Sequence, residues 1–186
     1  MSAAAMTAVP MKWRIMTEAD LPSVLAMADT VHPDFPEDEV VFANRLALDP
    51  NGCAVLEAQD GIKGYLVSHP WQFREPPSLN SLLTMPAAPS TFYIHDLALL
   101  PETRRSGAAT VAVDMMAARA RLMQLPNMTL VAVNNSVHFW QRHDFTIMRD
   151  SELDQKLQSY GDNARFMVRD LTQKRPLVKR KQGRNR

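Results

Sequence analysis

The chain has 186 residues, 46% hydrophobic and 22% charged, which excludes a disordered chain and favours one globular domain. No apolar run approaches the roughly 18 residues of a membrane span, and the first ten residues lack the basic start of a secretory signal, so we expect neither. Cys53 is the only cysteine, which excludes an internal disulfide and a cysteine zinc site, and we expect a cytoplasmic protein.

The net charge of +1 is distributed unevenly along the chain. Residues 174–186 hold seven of the 21 Lys and Arg and no acidic residue, which leaves 14 basic against 20 acidic residues elsewhere. A short basic end is usually solvated, although it can contact nucleic acid or a protein. We predict a flexible N-terminus over 1–10, a single domain over 11–173 and a basic, disordered tail over 174–186.

In the first half of the chain, segments with periodic apolar residues are separated by turn residues. Thr17 and Asp20 form a capping-box pattern ahead of apolar residues at helical spacing, and Asp60-Gly61 separates two β-rich runs, which is typical of a hairpin. The predicted elements are a strand over 11–15, a helix ending near residue 32, a helix over 37–48, strands over 53–58 and 62–67, and a long proline-rich loop over 69–90.

The second half predicts a β-α-β unit followed by shorter elements. Its elements are strands over 91–100 and 128–133 around a helix over 108–125, a short helix over 136–143, and strands over 145–149 and 164–171. The unit over 91–133 supplies one parallel pair of strands. The predicted fold class is therefore α/β (α+β), with a mixed, mainly antiparallel sheet of about six or seven strands and about four helices.

The turn before the long helix of this unit has the composition of an anion site. Arg104 and Arg105 lie just before Gly107, where a helix begins, and helix-start N–H groups bind phosphate well. The small Ala108 and Ala109 allow a ligand to approach the backbone. No Walker or dinucleotide-binding pattern is present. Taken alone, the segment fits an ordinary helix start with two solvated arginines better than an anion site.

Two ordered segments resemble the GNAT superfamily of acyl-CoA-dependent N-acetyltransferases. Arg104, Gly107 and Ala109 match its pattern of Arg or Gln, two residues, Gly, one residue, then Gly or Ala, after a strand that ends Leu-Ala-Leu-Leu-Pro101. Residues 134–145 are similar to its second segment, which runs Asn, then Phe-Tyr, then Gly-Phe. The resemblance covers roughly residues 12–171 and follows the order of elements in the family.

Three positions depart from the family pattern. Arg105 stands where members commonly have a further Gly, so it either crowds a pyrophosphate or adds a salt bridge to it. Trp140 replaces the usual Tyr, and Asp144 replaces Gly in a segment that is one residue short.

The resemblance implies acetyl-CoA as cosubstrate and a GNAT-like sheet in which the parallel strands splay apart. Pantetheine would pair with the strand, the pyrophosphate would lie on the following loop, and the second segment would flank the pantetheine and thiol. The implied coenzyme-binding residues, in that order, are Leu97, Ala98 and Leu99; Arg104, Arg105, Ser106, Gly107, Ala108 and Ala109; and Asn134, Phe139 and Trp140.

His95 is the first candidate for a catalytic base. In polyamine acetyltransferases of the family a Glu acts as base at the matching place, and imidazole, with an ordinary pKa of about 6.5, is largely neutral at physiological pH. Strand alternation predicts that His95 shares a face with Tyr93, whereas Asp96 points to the other face, where it orients a helix or a substrate cation. A satisfied core histidine is the alternative for His95.

The general acid of the family has no equivalent here, because the indole of Trp140 cannot protonate a leaving sulfur. A thiol is more acidic than an amine, so thiolate can depart unaided; water and Tyr93 are the other options. Trp140 is either a core residue or a wall of the acyl pocket.

The remaining candidates concern specificity and metals. His138 and His143 are five residues apart, no acidic spacing completes a metal set, and Cys53 is expected in the core, so no metal site is predicted. Candidates for acceptor specificity are the segment 32–39 and the loop 69–90. The acidic residues of 32–39 either suit a cationic amine or form a solvated face, and Trp71 and Phe73 of the loop either form an aromatic lip or pack beneath it.

The sequence thus predicts an N-acetyltransferase that moves an acetyl group from acetyl-CoA to a primary amine of a small molecule or peptide by direct attack. The alternative is a catalytically silent acyl-CoA-binding module whose basic tail contacts nucleic acid or a protein. A homodimer is left open, and no membrane partner is expected.

Overall fold

The computed structural model describes residues 10–172, which form one seven-stranded sheet with helices on both faces. The strands are β1 (Lys12–Ile15), β2 (Ala54–Ala58), β3 (Gly61–Trp71), β4 (Thr91–Leu99), β5 (Asn127–Ala132), β6 (Thr146–Ile147) and β7 (Arg165–Asp170). The helices are α1 (Leu21–Val31), α2 (Glu39–Leu48), α3 (Ala108–Leu122), α4 (Val137–Gln141) and α5 (Ser151–Lys156). The predicted basic tail and nearly all of the predicted flexible N-terminus lie outside the described residues.

The strand order is β1-β2-β3-β4-β5-β7-β6, and all neighbours are antiparallel except β4 and β5. The predicted fold class, parallel pair and Asp60-Gly61 hairpin are confirmed. No helix within residues 10–172 is long and apolar enough to cross a membrane.

Alternating residues of the central strands pack into two separate cores, one on each face of the sheet. Leu66 of β3 packs with Ala112, Val113 and Met116 of α3, whereas its neighbour Val67 packs with the side chains of α1 and α2 on the opposite face. This is the period of two expected of a strand covered on both sides. As predicted, Cys53 is buried, and it lies in the second core.

Strand β3 runs four residues further than predicted and includes Pro70. Pairing with β2 ends at Leu66, so the residues beyond it pair only with β4, and a proline without an N–H is tolerated at that free edge. The irregular loop therefore covers residues 72–90. Phe73 packs beneath it against Phe166, which decides between the two alternatives given for that residue.

Several predicted helix and strand limits were wrong. Helix α2 begins at Glu39, so Glu37 lies in the preceding connection, and α3 ends at Leu122 because Gln124 adopts a left-handed φ of 57°. The predicted helix 136–143 and strand 145–149 are shorter than expected, and α5 was missed. Its signal was Asp150, whose carboxylate accepts hydrogen bonds from the N–H groups of Glu152 and Leu153.

Two irregularities of β4 position the site. The register with β3 shifts so that Val67 faces Asp96 while Ser68 faces Ile94, which leaves His95 as the extra residue of a β-bulge. Parallel pairing with β5 ends at the same point, at Ile94 opposite Leu130. Beyond the bulge the two parallel strands separate, as the family resemblance implied.

The predicted capping box ahead of α1 is present and supplies a stability test. The Asp20 carboxylate accepts hydrogen bonds from the Thr17 N–H (2.8 Å) and from Arg14 (2.7 and 2.8 Å). The hydrogen bonds from Arg14 lower the pKa of Asp20 to about 2. Burial raises this pKa, but its effect is the smaller one. We expect Asp20→Asn to reduce the free energy of unfolding at pH 7 by about 1–3 kcal/mol.

Urea unfolding at several pH values measures this effect. A carboxylate with a lowered pKa stabilises the fold above its ordinary pKa and loses that contribution as pH falls through the folded value, so the two proteins should converge as pH falls from 4 towards 2. Asp60→Asn, at an exposed carboxylate paired with Lys63, is the matched control and should change stability little. Equal stability of Asp20→Asn and wild type at pH 7 would contradict the assignment.

Candidate active site

Two adjoining cavities meet at the bulge of β4. One, here called the gap cavity, has a volume of about 120 Å³ and lies between β4 and β5; Leu97, Leu130, Asn134, Phe139 and Trp140 are among its lining residues. The other, the loop cavity, has a volume of about 50 Å³, room for only a few water molecules, and is lined by Phe35, Glu37, Leu79, Tyr93 and Tyr160, among others. The residues that border both cavities are His32, His95, Asp96, Val131 and Val133.

His95 forms a buried pair with Glu37 at this junction. Its Nε2 lies 2.7 Å from Glu37 Oε2, and the two side chains are only 4% and 7% exposed. Burial favours the protonated carboxyl, but the hydrogen bonds from His95 and from the Asn80 N–H favour the carboxylate, and the pKa of Glu37 is lowered. Glu37 is therefore a carboxylate, and an acceptor, over the neutral pH range.

The pair fixes where the basic lone pair of neutral His95 lies. Because the Glu37 carboxylate can only accept, Nε2 carries the proton of the neutral ring, and the lone pair is on Nδ1. Nδ1 is buried and has no hydrogen-bond partner among residues 10–172. An imidazole oriented by a carboxylate through one nitrogen, with the other nitrogen unpaired, is the arrangement of a general base.

The loop 72–90 holds Glu37 in place. The other carboxylate oxygen of Glu37 accepts a hydrogen bond from the Asn80 N–H (2.9 Å), and the Asn80 side chain exchanges hydrogen bonds with Asp38 at 2.8 and 3.1 Å. Asn80 has a left-handed φ of 55°. The loop thus covers one side of the loop cavity and orients Glu37, the partner of His95.

Asp96 belongs to the same face as His95, contrary to the prediction from strict alternation. The bulge adds one residue, so Asp96 turns towards α1, where its Oδ1 lies 3.0 Å from His32 Nε2 and its Oδ2 accepts a hydrogen bond from the Tyr65 hydroxyl. Burial opposes ionisation of Asp96, but these contacts outweigh it, and the pKa of Asp96 is held below its ordinary value. His32 also lies 3.2 Å from Asn134 across the gap, Nδ1 to Nδ2.

The segment that leads into α3 exposes free backbone donors. Arg105 and Gly107 have left-handed φ values of 69° and 84°, and α3 begins at Ala108. The N–H groups of Arg105, Gly107 and Ala109 donate to no atom of residues 10–172, whereas the Ala108 N–H donates to Ser106 Oγ at 3.2 Å. Unpaired amides on alternate residues at a helix start form a donor surface suited to an anion.

The predicted coenzyme residues fall into two groups. Leu97, Asn134, Phe139 and Trp140 line the gap cavity, and Trp140 is also a core residue that packs on Phe139 and Phe145. The others lie outside both cavities: Ala98 is buried on the α1–α2 face, Leu99 ends β4, and Arg104, Arg105, Ser106, Gly107, Ala108 and Ala109 follow it into α3.

Glu37 and His32 were not singled out individually from the sequence. Both belong to the acidic segment 32–39, which was assigned to specificity, and each contacts a residue of β4 more than 50 positions away. No pattern within one segment shows such a contact. No group of three or more His, Cys, Asp or Glu that could hold a metal ion occurs in the described part of the chain.

Comparison with known proteins identifies the family. The model described as "Acetyltransferase (GNAT) family" matches residues 19–145, more than half of the chain. The chain belongs to the GNAT acetyltransferase family. This membership supports acyl transfer from coenzyme A. No curated protein matches the chain.

Solved structures of GNAT proteins share the fold. Ard1 from Thermoplasma volcanium is 17% identical, with a TM-score of 0.65 over 86% of this chain and 97% of that one. The loading GNATL domain of CurA from Lyngbya majuscula is 15% identical, with a TM-score of 0.67 over 88% and 98%. Naa20 of Chaetomium thermophilum, in complex with a bisubstrate analogue, is 17% identical, with a TM-score of 0.63 over 87% of each chain. At these identities the similarity shows the fold alone.

Proposed function

We propose that this chain is an N-acetyltransferase that transfers the acetyl group of acetyl-CoA directly to a primary amine of a small molecule or peptide. The observation that carries the proposal is the buried His95–Glu37 pair at the junction of the two cavities. The gap cavity takes the thioester end of the coenzyme, and the narrow loop cavity takes the slender end of the amine.

His95 removes the proton that prevents the amine from attacking. An alkylammonium has a pKa of about 10.4, so roughly one molecule in a thousand is neutral near pH 7.4. Forming the neutral amine at this pH therefore costs about 4 kcal/mol of free energy. The proton moves to Nδ1, and the imidazolium that forms is stabilised by the Glu37 carboxylate. Because Nδ1 is covered by protein atoms, we expect amine binding in the loop cavity to open access to it.

The splayed part of β4 supplies the remaining electrostatics. Attack on the thioester carbonyl forms an oxyanion, and backbone N–H groups on the β5 side of β4 are left without a strand partner beyond Ile94. The coenzyme diphosphate binds the free amides of Arg105, Gly107 and Ala109, and the neighbouring arginine side chains add positive charge.

A second candidate function is a silent acyl-CoA-binding module with a nucleic-acid or protein partner. Trp140 favours it, since an indole supplies no acid in place of the usual Tyr. Its basic tail lies outside the described residues. Salt-dependent retention on nucleic acid, lost on deletion of residues 174–186, would support this candidate.

A thiol-release assay with a panel of amines separates the two candidates. Free coenzyme A is followed with a thiol reagent while acetyl-CoA and each amine are supplied to the full chain. Amine-dependent release, accompanied by acetylated amine in the mass spectrum, is the expected result. Binding of acetyl-CoA without release for every amine would favour the silent module.

Glu37→Gln tests the carboxylate partner of His95. An amide keeps a hydrogen-bond acceptor but not the charge that stabilises the imidazolium, so we expect kcat to fall about 100-fold with little change in acetyl-CoA affinity. Asp38→Asn is the matched control because Asp38 is exposed and binds the same Asn80 without touching His95. It should retain kcat within about twofold. Equal kcat values for wild type and Glu37→Gln would remove Glu37 from the mechanism.

A further inference from the structure

The leaving thiolate has no proton donor at Trp140, which leaves the polar side chains that border both cavities as candidates. These are His95, Asp96 and His32. His95 is the proposed base and gains a proton. Asp96 is a carboxylate that already accepts from Tyr65 and contacts His32. His32 alone among the three is able to give up a proton as the coenzyme departs.

We propose that His32, as imidazolium, protonates the sulfur of coenzyme A when the thioester bond breaks. This inference rests on the proposed acetyl transfer. As the tetrahedral intermediate collapses, the C–S bond breaks, its electron pair goes to sulfur, and sulfur takes the proton of His32 to give the free thiol. The attacking nitrogen loses its extra proton to water as the amide forms, and His95 then releases the ammonium proton to water, so that one proton is released overall in each turnover. His32 is left neutral and regains a proton from water before the next turnover.

The fold favours the charged form of His32 from two directions. His32 is the residue directly after the last turn of α1, an 11-residue helix, where the negative end of the dipole and the unpaired carbonyl groups stabilise a cation. Its Nε2 lies 3.0 Å from the Asp96 carboxylate. Burial opposes the charged form, but the Asp96 contact outweighs it, and the pKa of His32 is raised above its ordinary 6.5.

The other groups around His32 couple it to the base. Glu37 faces it from the connection between α1 and α2, His95 and Asp96 face it from β4, and Tyr65 of β3 holds Asp96. When His95 takes the proton of the amine, a second positive charge arises beside the same carboxylates. Repulsion from that charge favours release of the His32 proton when the thiolate forms.

Asn134 faces the second nitrogen of His32 across the gap, 3.2 Å from Nδ1. In the structure the carboxamide presents its Nδ2 to Nδ1, which suits the neutral ring, and rotation of the carboxamide by about 180° presents its oxygen to the charged ring. His32 therefore reaches from the α1 side of the sheet to the wall of the gap cavity, where the thioester is proposed to lie.

The test is the thiol-release assay on the full chain with one accepted amine, comparing wild type with His32→Gln over a range of pH. We expect kcat of the variant to be about 100-fold lower. We expect wild-type kcat to fall at high pH as His32 loses its proton, and the variant to lack this fall. In His32→Gly, added imidazole should restore rate in proportion to its imidazolium form, which a structural role would not produce.

The outcomes separate this inference from the proposed function. No thiol release by wild type with any amine would overturn both. A wild type that turns over, together with an unchanged rate in His32→Gln, would overturn only the role of His32. A wild-type profile without a fall at high pH would overturn that role as well, whether or not the variant folds. His138→Gln, at an exposed histidine of α4, is the control and should behave as wild type.

Discussion

Replacement of His95 by alanine should lower kcat about 10²- to 10⁴-fold while the dissociation constant of acetyl-CoA stays within about threefold. The variant removes the Nδ1 lone pair but leaves the helix start and most of the gap cavity intact. Steady-state thiol release gives kcat, and calorimetric titration with acetyl-CoA gives the dissociation constant.

His95→Gln is the control for a folding defect in His95→Ala. Alanine leaves the buried Glu37 carboxylate without its partner, which destabilises the fold, whereas glutamine keeps an N–H for Glu37 and has no basic lone pair. Both variants should lose rate to a similar degree. A His95→Gln protein with the wild-type rate would show that His95 is only a satisfied core histidine.

Replacement of Gly107 by glutamate should weaken acetyl-CoA binding by at least about 100-fold, since a like charge beside an anion costs several kcal/mol. Gly107 has a φ of 84°, and a Cβ there would meet no atom within 4 Å, so the side chain enters open space beside the free amides. Backbone strain adds to the effect of the charge.

Gly161→Glu is the control for a glutamate added at a glycine of positive φ away from the site. Gly161 has the same φ of 84° and equally open surroundings, but it lies in the connection before β7 rather than beside the free amides at the start of α3. Calorimetry should find wild-type affinity for acetyl-CoA in this variant. Undiminished binding by Gly107→Glu would mean that the diphosphate is held elsewhere on the chain.

The order of elements was predictable from local signals. The capping-box pattern of Thr17 and Asp20 predicted α1, and Asp60-Gly61 predicted the β2–β3 hairpin. The strand that ends Leu-Ala-Leu-Leu-Pro101 was part of the resemblance that indicated the family. Each of these signals lies within a few residues of the chain, where turn chemistry and periodicity act. The family and fold class therefore followed from short segments.

The chemistry of the site depended on contacts that no local signal shows. The bulge at His95 arises from the register between β3 and β4, and it reverses the expected direction of Asp96. Glu37 reaches His95 only because the 72–90 loop and the α1–α2 connection pack together over β4. Periodicity reports the face of a residue within its own element and carries no information about a partner 58 positions away.

A crystal structure of the chain with acetyl-CoA bound would show where the coenzyme lies relative to the His95–Glu37 pair. We expect pantetheine between β4 and β5, the thioester carbon beside His95 and His32, and the diphosphate on the amides of Arg105, Gly107 and Ala109. A coenzyme seated anywhere else, or a thioester carbon remote from the His95–Glu37 pair, would contradict it.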